Sequence, residues 1–424
     1  MATATDTIRI GIAGLGEATT EILPSYSTHP NVKLAAAADR REYALERFRE
    51  EFGAEGYTDI EEMCKAPDLD AIYVATNHEL HCEHVLMALD YGKHVVVEKP
   101  MALTVEECER MNRSAEEKAL ILLCGHNHSW DAPIRKMREI IVTGELGRVC
   151  MINTWNYNDF MVRPYPHSHL EFSHGVVLNQ GPHQIDIVRL LGGGMVRSVR
   201  AMAGRWDSAR PGEGGYVCYL EFEDGTPASL VFNGYGFFDT AELFWWTGEG
   251  GQPRGQYKNQ ASRQNYKNLP PEPERTRILE EMKNRMRYGS VGVGEAPNMP
   301  PGWEKGGARS HSGPRHQPFF GITVVTCEKG DLRQSPDGIY IYGDELRELP
   351  IEEGNTGRRA EIDELYNALV HGKPLTHGGR WGQATVEVCQ ALLESAAERR
   401  EVMLEHQVPA RDPVESLGEA VKGR

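Results

Sequence analysis

From residue 7 to about residue 127 the chain switches between two periods, and this constrains the fold more than any other feature. "TIRIGIAG" (7–14), "VKLAAAADR" (32–40), "DAIYVATN" (70–77), "HVVVEKP" (94–100) and "LILLCGHN" (120–127) are short β-rich runs. Between them lie helical stretches: one carrying Ile22 and Leu23 ahead of Pro24, then "EYALERFREEFG" (42–53), "ELHCEHVLMALDYGK" (79–93) and "TVEECERMNRSAEEKA" (104–119). Gly53 and Gly92 are suited to close two of these helices. Near-continuous apolar strands at βαβ spacing predict a doubly wound parallel sheet over residues 1–125.

The texture then changes. "RVCMINTWNY" (148–157), "VRSVRAMAGRW" (196–206), "GYVCYLEFEDGTPASLVFNGYG" (215–236) and "GITVVTCEKGDLRQSPDGIYIYG" (321–343) alternate apolar and polar residues. Such runs read as antiparallel strands with one open face. Residues 126–424 are therefore expected to form a second α/β domain, with two late helices in "RRAEIDELYNALVHGK" and "GQATVEVCQALLESAAERR". Residues 248–318, rich in Gly, Pro, Arg, Asn and Lys, read as a long insertion: a lid, a subunit arm or a disordered stretch, with one helix-like patch at "RTRILEEMKNRMRYG".

A net charge of −16 argues against a nucleic-acid or membrane surface. The eight cysteines include no C-x-x-C pair and read as small buried hydrophobes. No secretion signal is evident at the start, and the longest apolar runs, such as "ALILLC" (119–124), are too short for a bilayer. A cytoplasmic, soluble protein is the expectation.

The glycine turn Gly14-Leu15-Gly16 follows the first strand and opens a helix, as a pyrophosphate-binding turn does. Thr19 stands where the third glycine of the fingerprint falls, and a plain strand–helix turn would show the same two glycines. Asp39 ends the second strand, where an acidic group binds the adenosine ribose and repels a 2′-phosphate, which favours NAD. Arg40 and Arg41 beside it leave NADP open. Lys99 closes the fourth strand at the cofactor crevice, with Pro100 restricting its backbone and open to a cis bond.

"GIAGLGEATTEIL", "AAAADR", "DAIYVATNHELHCEHVLMALDYGKHVVVEKPMALTVEECERM" and "GVVLNQGPHQIDIVRLLGG" together resemble the glucose–fructose oxidoreductase / inositol dehydrogenase (Gfo/Idh/MocA) family. The resemblance implies a Rossmann domain joined to an α/β domain with an open, mostly antiparallel sheet, hydride transfer between NAD and a secondary alcohol, and a dimer or tetramer. It implies a cofactor site of Gly14, Leu15, Gly16, Asp39, Arg40, Thr76, Asn77, His81, Glu98 and Lys99. It also implies a catalytic group of Lys99, His183 and Asn179. The family's segment is usually Asp-x-Gly-x-His-x-x-Asp; here His183 and Asp186 match and Asn179 replaces the first aspartate. A histidine suits proton removal from a hydroxyl, and an ammonium suits the developing alkoxide.

"NQGPHQIDIVRLLGGG", "GITVVTCEKGDLRQSPDGIYIYG" and "GGRWGQATVEVCQALLESAAERREV" resemble more narrowly the branch containing phthalate 4,5-cis-dihydrodiol dehydrogenase, which oxidises carboxylated cyclohexadiene cis-diols to catechols. Sugar or inositol oxidation, or NAD sensing without turnover, are the alternatives. "NDFMVRPYPHSHLEFSH" (158–174) adds an Arg/His cluster, so Arg163, His167 and His169 are expected to hold an anionic substrate. His167, His169 and His174 have the residue types of a metal site, but the resemblance implies no metal. Arg309 and Arg315 are further candidates should the insertion fold over the pocket, and Trp130, Trp155 and Trp206 are candidate walls for a ring or else core.

Overall fold

Strands β1 (Ile8–Ala13), β2 (Val32–Ala38), β3 (Glu55–Tyr57), β4 (Ala71–Val74), β5 (His94–Glu98) and β6 (Leu122–Gly125) form one parallel sheet in the computed structural model. The structure describes residues 7–290, 315–352 and 357–411. The strand order is β3-β2-β1-β4-β5-β6, so the winding reverses between β1 and β4. A crevice opens there, at the carboxyl ends of the strands. Burial on both faces explains the apolar runs: Val95, Val96 and Val97 are all essentially inaccessible.

Local signals place the helices. Thr104 and Glu107 form a reciprocal capping box on the helix Val105–Glu117, and Gly53 ends Glu42–Phe52 in the left-handed conformation. The first helix departs from expectation. It runs Glu17–Ser27, through Pro24, because Ile22, Leu23 and Tyr26 on either side of the proline are fully buried and that packing outweighs the lost hydrogen bond. The short edge strand β3 and the helix Ile60–Cys64 carry too few residues for a periodic signal.

The second sheet has nine strands: β7 (Val149–Tyr157), β8 (Val196–Gly204), β9 (Gly215–Phe222), β10 (Pro227–Asn233), β11 (Ile322–Cys327), β12 (Gly330–Gln334), β13 (Gly338–Tyr342), β14 (Leu346–Pro350) and β15 (Val402–Met403). Their order is β14-β13-β12-β11-β7-β10-β9-β8-β15, antiparallel throughout except for the β7–β10 pair. Helices Gly181–Gly192 and Gly379–Glu398 cover one face. The other face leaves Met151, Trp155, Met202, Val217 and Tyr219 exposed.

Two segments stitch the sheets together. Helix Arg358–His371 returns to the first domain, where Tyr26 donates to Glu361 at 3.1 Å. The described part of the insertion carries two helices, Lys258–Lys267 and Glu274–Arg285, and ends against the first domain at Tyr288. Among the described residues no helix is long and apolar enough to cross a membrane.

Candidate active site

The turn after β1 is built for close approach. Gly14 has φ +92°, and a Cβ there would stand 2.8 Å from the Ala75 carbonyl oxygen. Gly16 caps the helix Glu17–Ser27 with no side chain over its first amides. Thr19, in the place of the third glycine, is accommodated because its hydroxyl donates to the Gly14 carbonyl at 2.6 Å. Bare helix amides behind a turn that excludes side chains fit the pyrophosphate of a dinucleotide. Thr76 and Asn77 follow β4 on the adjoining lip, with Thr76 Oγ1 2.9 Å from His84 Nδ1.

Asp39 accepts the main-chain N–H of Leu15 at 2.8 Å and that of Arg41 at 2.9 Å. The Arg41 guanidinium grips both carboxylate oxygens at 2.9 Å and reaches the Leu15 carbonyl at 2.5 Å. Burial would raise the Asp39 carboxyl, but Arg41 and the two amides outweigh it and hold the group below its usual range. Arg41 is thus the arginine tied to this corner, whereas Arg40 is exposed.

Two residues expected at the cofactor site are held inside the protein. His81 is fully buried, with its ring nitrogens 2.9 Å from the Pro100 carbonyl and 3.1 Å from the Thr76 carbonyl. It braces the loops after β4 and β5. Glu98 points into the protein, where it accepts from Tyr73 at 2.6 Å and pairs with Arg358 at 2.6 Å. Glu98 is the last residue of β5, and Lys99 follows it outside the strand, where its ammonium turns to a different partner.

Lys99 precedes a cis peptide bond to Pro100. Its ammonium donates to the main-chain carbonyl of Asn179 at 3.0 Å, which joins the end of β5 to the segment before helix Gly181–Gly192. Burial pulls the Lys99 ammonium below its usual value, against the opposing pull of Glu98. His183 lies in the first turn of that helix, 6% exposed. Its Nδ1 is buried without a hydrogen-bond partner, and its ring stands edge-on to His128 at 4.7 Å and 5.0 Å from Phe320. Burial first, then Lys99, His128 and His126, hold His183 well below the ordinary histidine range. Its imidazole is therefore neutral at pH 7. His128 is itself fixed by Asp131, 3.0 Å from its Nδ1.

Asn179 meets Lys99 through its main-chain carbonyl. Its side chain accepts from Gln180 at 2.9 Å and lies 3.2 Å from His169 Nε2. His169 stacks on Tyr165 at 4.9 Å and approaches His78 at 5.6 Å. The rest of the expected substrate cluster disperses. His167 turns to Glu272 at 3.5 Å, and His174 to Glu213 at 3.6 Å. Arg163 is committed to buried Asp159 at 3.0 Å, with Glu249 at 3.6 Å on its other arm.

Trp155 requires a correction. Its β7 neighbours Thr154 and Asn156 are buried while Trp155 is 49% exposed on the open sheet face, away from the crevice. Trp206 is also exposed, and Trp130 packs on His377 at 4.2 Å. Arg309 lies outside the described residues. Sequence reasoning passed over His128, Tyr165, Glu249 and Lys283. The Asp131 three residues after His128 was the one local signal.

Two family descriptions match the chain. Residues 8–126 match the oxidoreductase family with an NAD-binding Rossmann fold, and residues 134–251 match the Gfo/Idh/MocA C-terminal domain. A 1-carboxy-3-chloro-3,4-dihydroxycyclohexa-1,5-diene dehydrogenase from Comamonas testosteroni is 35% identical over 399 residues, spanning 91% of this chain and 94% of that protein. A myo-inositol 2-dehydrogenase from Thermotoga maritima is 27% identical over 246 residues, spanning 56% of this chain and 72% of that protein. The crystal structure of a protein from Bordetella bronchiseptica RB50 described as a dehydrogenase superposes with a TM-score of 0.84 and 36% identity, covering 94% of this chain and all of that one. A glycine turn fit for a dinucleotide, a lysine and a neutral histidine at the crevice, and matches across both domains agree: the chain is a nicotinamide-dependent dehydrogenase and belongs to the Gfo/Idh/MocA oxidoreductase family.

Proposed function

We propose that this dehydrogenase oxidises a carboxylated cyclohexadiene cis-diol to the corresponding catechol with NAD. The observation that carries the reading is the likeness along nearly the whole chain to the Comamonas testosteroni enzyme, whose name describes such a diol. The inositol dehydrogenase match covers much less of this chain.

The residues fit the chemistry. Neutral His183 takes the hydroxyl proton; burial depresses its basicity first, and the same cation that assists the reaction lowers it further. Lys99, fixed by the Asn179 carbonyl, donates to the oxygen as negative charge develops on it. Bound NAD supplies the hydride acceptor. The resulting ketone tautomerises, the other carbinol carbon losing its proton as the carbonyl oxygen gains one, and the aromatic catechol so formed draws the oxidation forward.

The carboxylate is assigned to Arg163 and His169. One arm of Arg163 is held by Asp159, whose side chain is 3% exposed. The other faces Glu249 at a longer distance, and Glu249 is 40% exposed. A substrate carboxylate exchanges with Glu249 on that arm. NAD is favoured over NADP because Asp39, whose carboxyl stays charged, would repel a 2′-phosphate at the end of β2.

A panel of NAD-reduction assays tests this. A carboxylated cis-dihydrodiol is expected to exceed its decarboxylated analogue in kcat/KM by about tenfold or more, the scale of one charge-assisted pair. Preference for a neutral polyol such as inositol overturns the reading.

A further inference from the structure

Lys283 and Tyr288 belong to the insertion of the second domain, yet both grip the cofactor turn of the first. Lys283 Nζ pairs with Glu17, the first residue of the helix whose N-terminus faces the pyrophosphate. The pair is largely sheltered, with side chains 15% and 22% exposed. Tyr288 donates its main-chain N–H to the Gly16 carbonyl at 3.4 Å and accepts from Arg41 at 3.3 Å. Its hydroxyl donates to Glu51 at 2.8 Å, and Arg47 lies 5.4 Å over its ring. Gly289, at φ +77°, packs so tightly that a Cβ would stand 2.6 Å from Ala44 Cα. This is a fitted joint between domains.

Glu17 poses the question that the joint answers. A carboxylate at a helix start suits the helix dipole, but it repels a pyrophosphate bound to the same amides. The insertion brings the compensating charge from more than 250 residues away in sequence.

We propose that the segment Glu272–Ser290 is a strap that completes the dinucleotide site, in which Lys283 neutralises Glu17 so that the pyrophosphate can occupy the helix N-terminus. Its other contacts reach the substrate side. Glu272 meets His167 at 3.5 Å, and Lys283 lies 4.2 Å over the ring of Tyr165, which stacks on His169. One segment therefore touches both the cofactor turn and a wall of the substrate pocket. Lys283 is a positioning residue for the cofactor. The inference rests on the nicotinamide site and not on the identity of the alcohol.

The test is NADH affinity, read from NADH fluorescence with full-length protein and no alcohol present. Lys283→Met is expected to raise the Kd about tenfold or more, the scale of one charge-assisted contact. Lys283→Met with Glu17→Gln is expected to regain most of that loss, because the repelling carboxylate is gone. Rescue by removing a second group separates charge compensation from a folding defect. Raising the salt concentration should shrink the Lys283→Met defect. A double variant as weak as Lys283→Met alone overturns the compensation. An unchanged Kd with a raised KM for the carboxylated diol also overturns it and moves Lys283 to the substrate.

Discussion

Acid should destabilise this protein through histidines that the fold keeps neutral. Burial lowers His126 to about 4, against the opposing pull of Asp186 and with further lowering by His377. Burial, then Lys283 and Lys99, lower His169 to about 3. In the unfolded chain both titrate near 6.5. Below that pH the unfolded state binds protons that the native state refuses, so stability present above about 6.5 is lost as pH falls. Linkage at pH 5 gives a loss of about 2 kcal/mol for each, or about 4 kcal/mol for the two. His183 and His78, also held low by burial, act in the same direction. His377 acts in the opposite direction: burial lowers it but Glu364 outweighs that, so it is raised and gains stability as pH falls. The isolating experiment is therefore a comparison of denaturant titrations at pH 7 and pH 5 for wild type and His126→Gln. The variant should lose about 2 kcal/mol less than wild type between the two pH values, whatever its stability at pH 7. Equal losses would show that His126 is not neutral and desolvated in the native state, and the electrostatic description of the crevice would fail with it.

Asp39→Ser should raise kcat/KM with NADP relative to NAD, since Arg41 would lose the carboxylate that holds it; a wild type that already prefers NADP refutes the ribose assignment. Arg358→Met strands Glu98 and Glu361 in the core and should cost about 3–5 kcal/mol, so an unchanged Tm would mean that the pair is not buried as described. Glu249→Gln removes the competitor on Arg163 and should lower KM for the carboxylated diol by up to about fivefold without affecting an uncharged one; a raised KM contradicts the exchange.

Much of this was legible in the chain because it is local. Strand and helix spacing through β6, the Gly14 turn, Asp39 and the Lys99 position each depend on a few adjacent residues. The antiparallel sheet was visible as alternation. Other features depend on orientation. Trp155 was assigned to the pocket by residue type, although the parity of β7, with Thr154 and Asn156 inward, turns it outward. Glu98 looks like a cofactor contact beside Lys99, but Tyr73 and Arg358, distant in sequence, hold it inside the protein. His81 is polar and near the crevice, but two main-chain carbonyls claim its ring. The joint of Lys283 and Tyr288 with Glu17, Gly16 and Arg41 has no local signature, since each half looks like an ordinary surface charge or aromatic until the insertion folds back.

The central claim is that His183 removes the proton and Lys99 both lowers its basicity and steadies the oxygen. Single-turnover NADH formation from a carboxylated cis-dihydrodiol, measured across pH in wild type, His183→Asn and Lys99→Met, tests it directly. Each variant is expected to fall by about 10² or more while NADH affinity changes little. In Lys99→Met the acid limb should also move to higher pH, because removing a neighbouring cation lets His183 rise toward its ordinary value. A near-normal rate in either variant, or an acid limb that stays in place in Lys99→Met, would contradict the account.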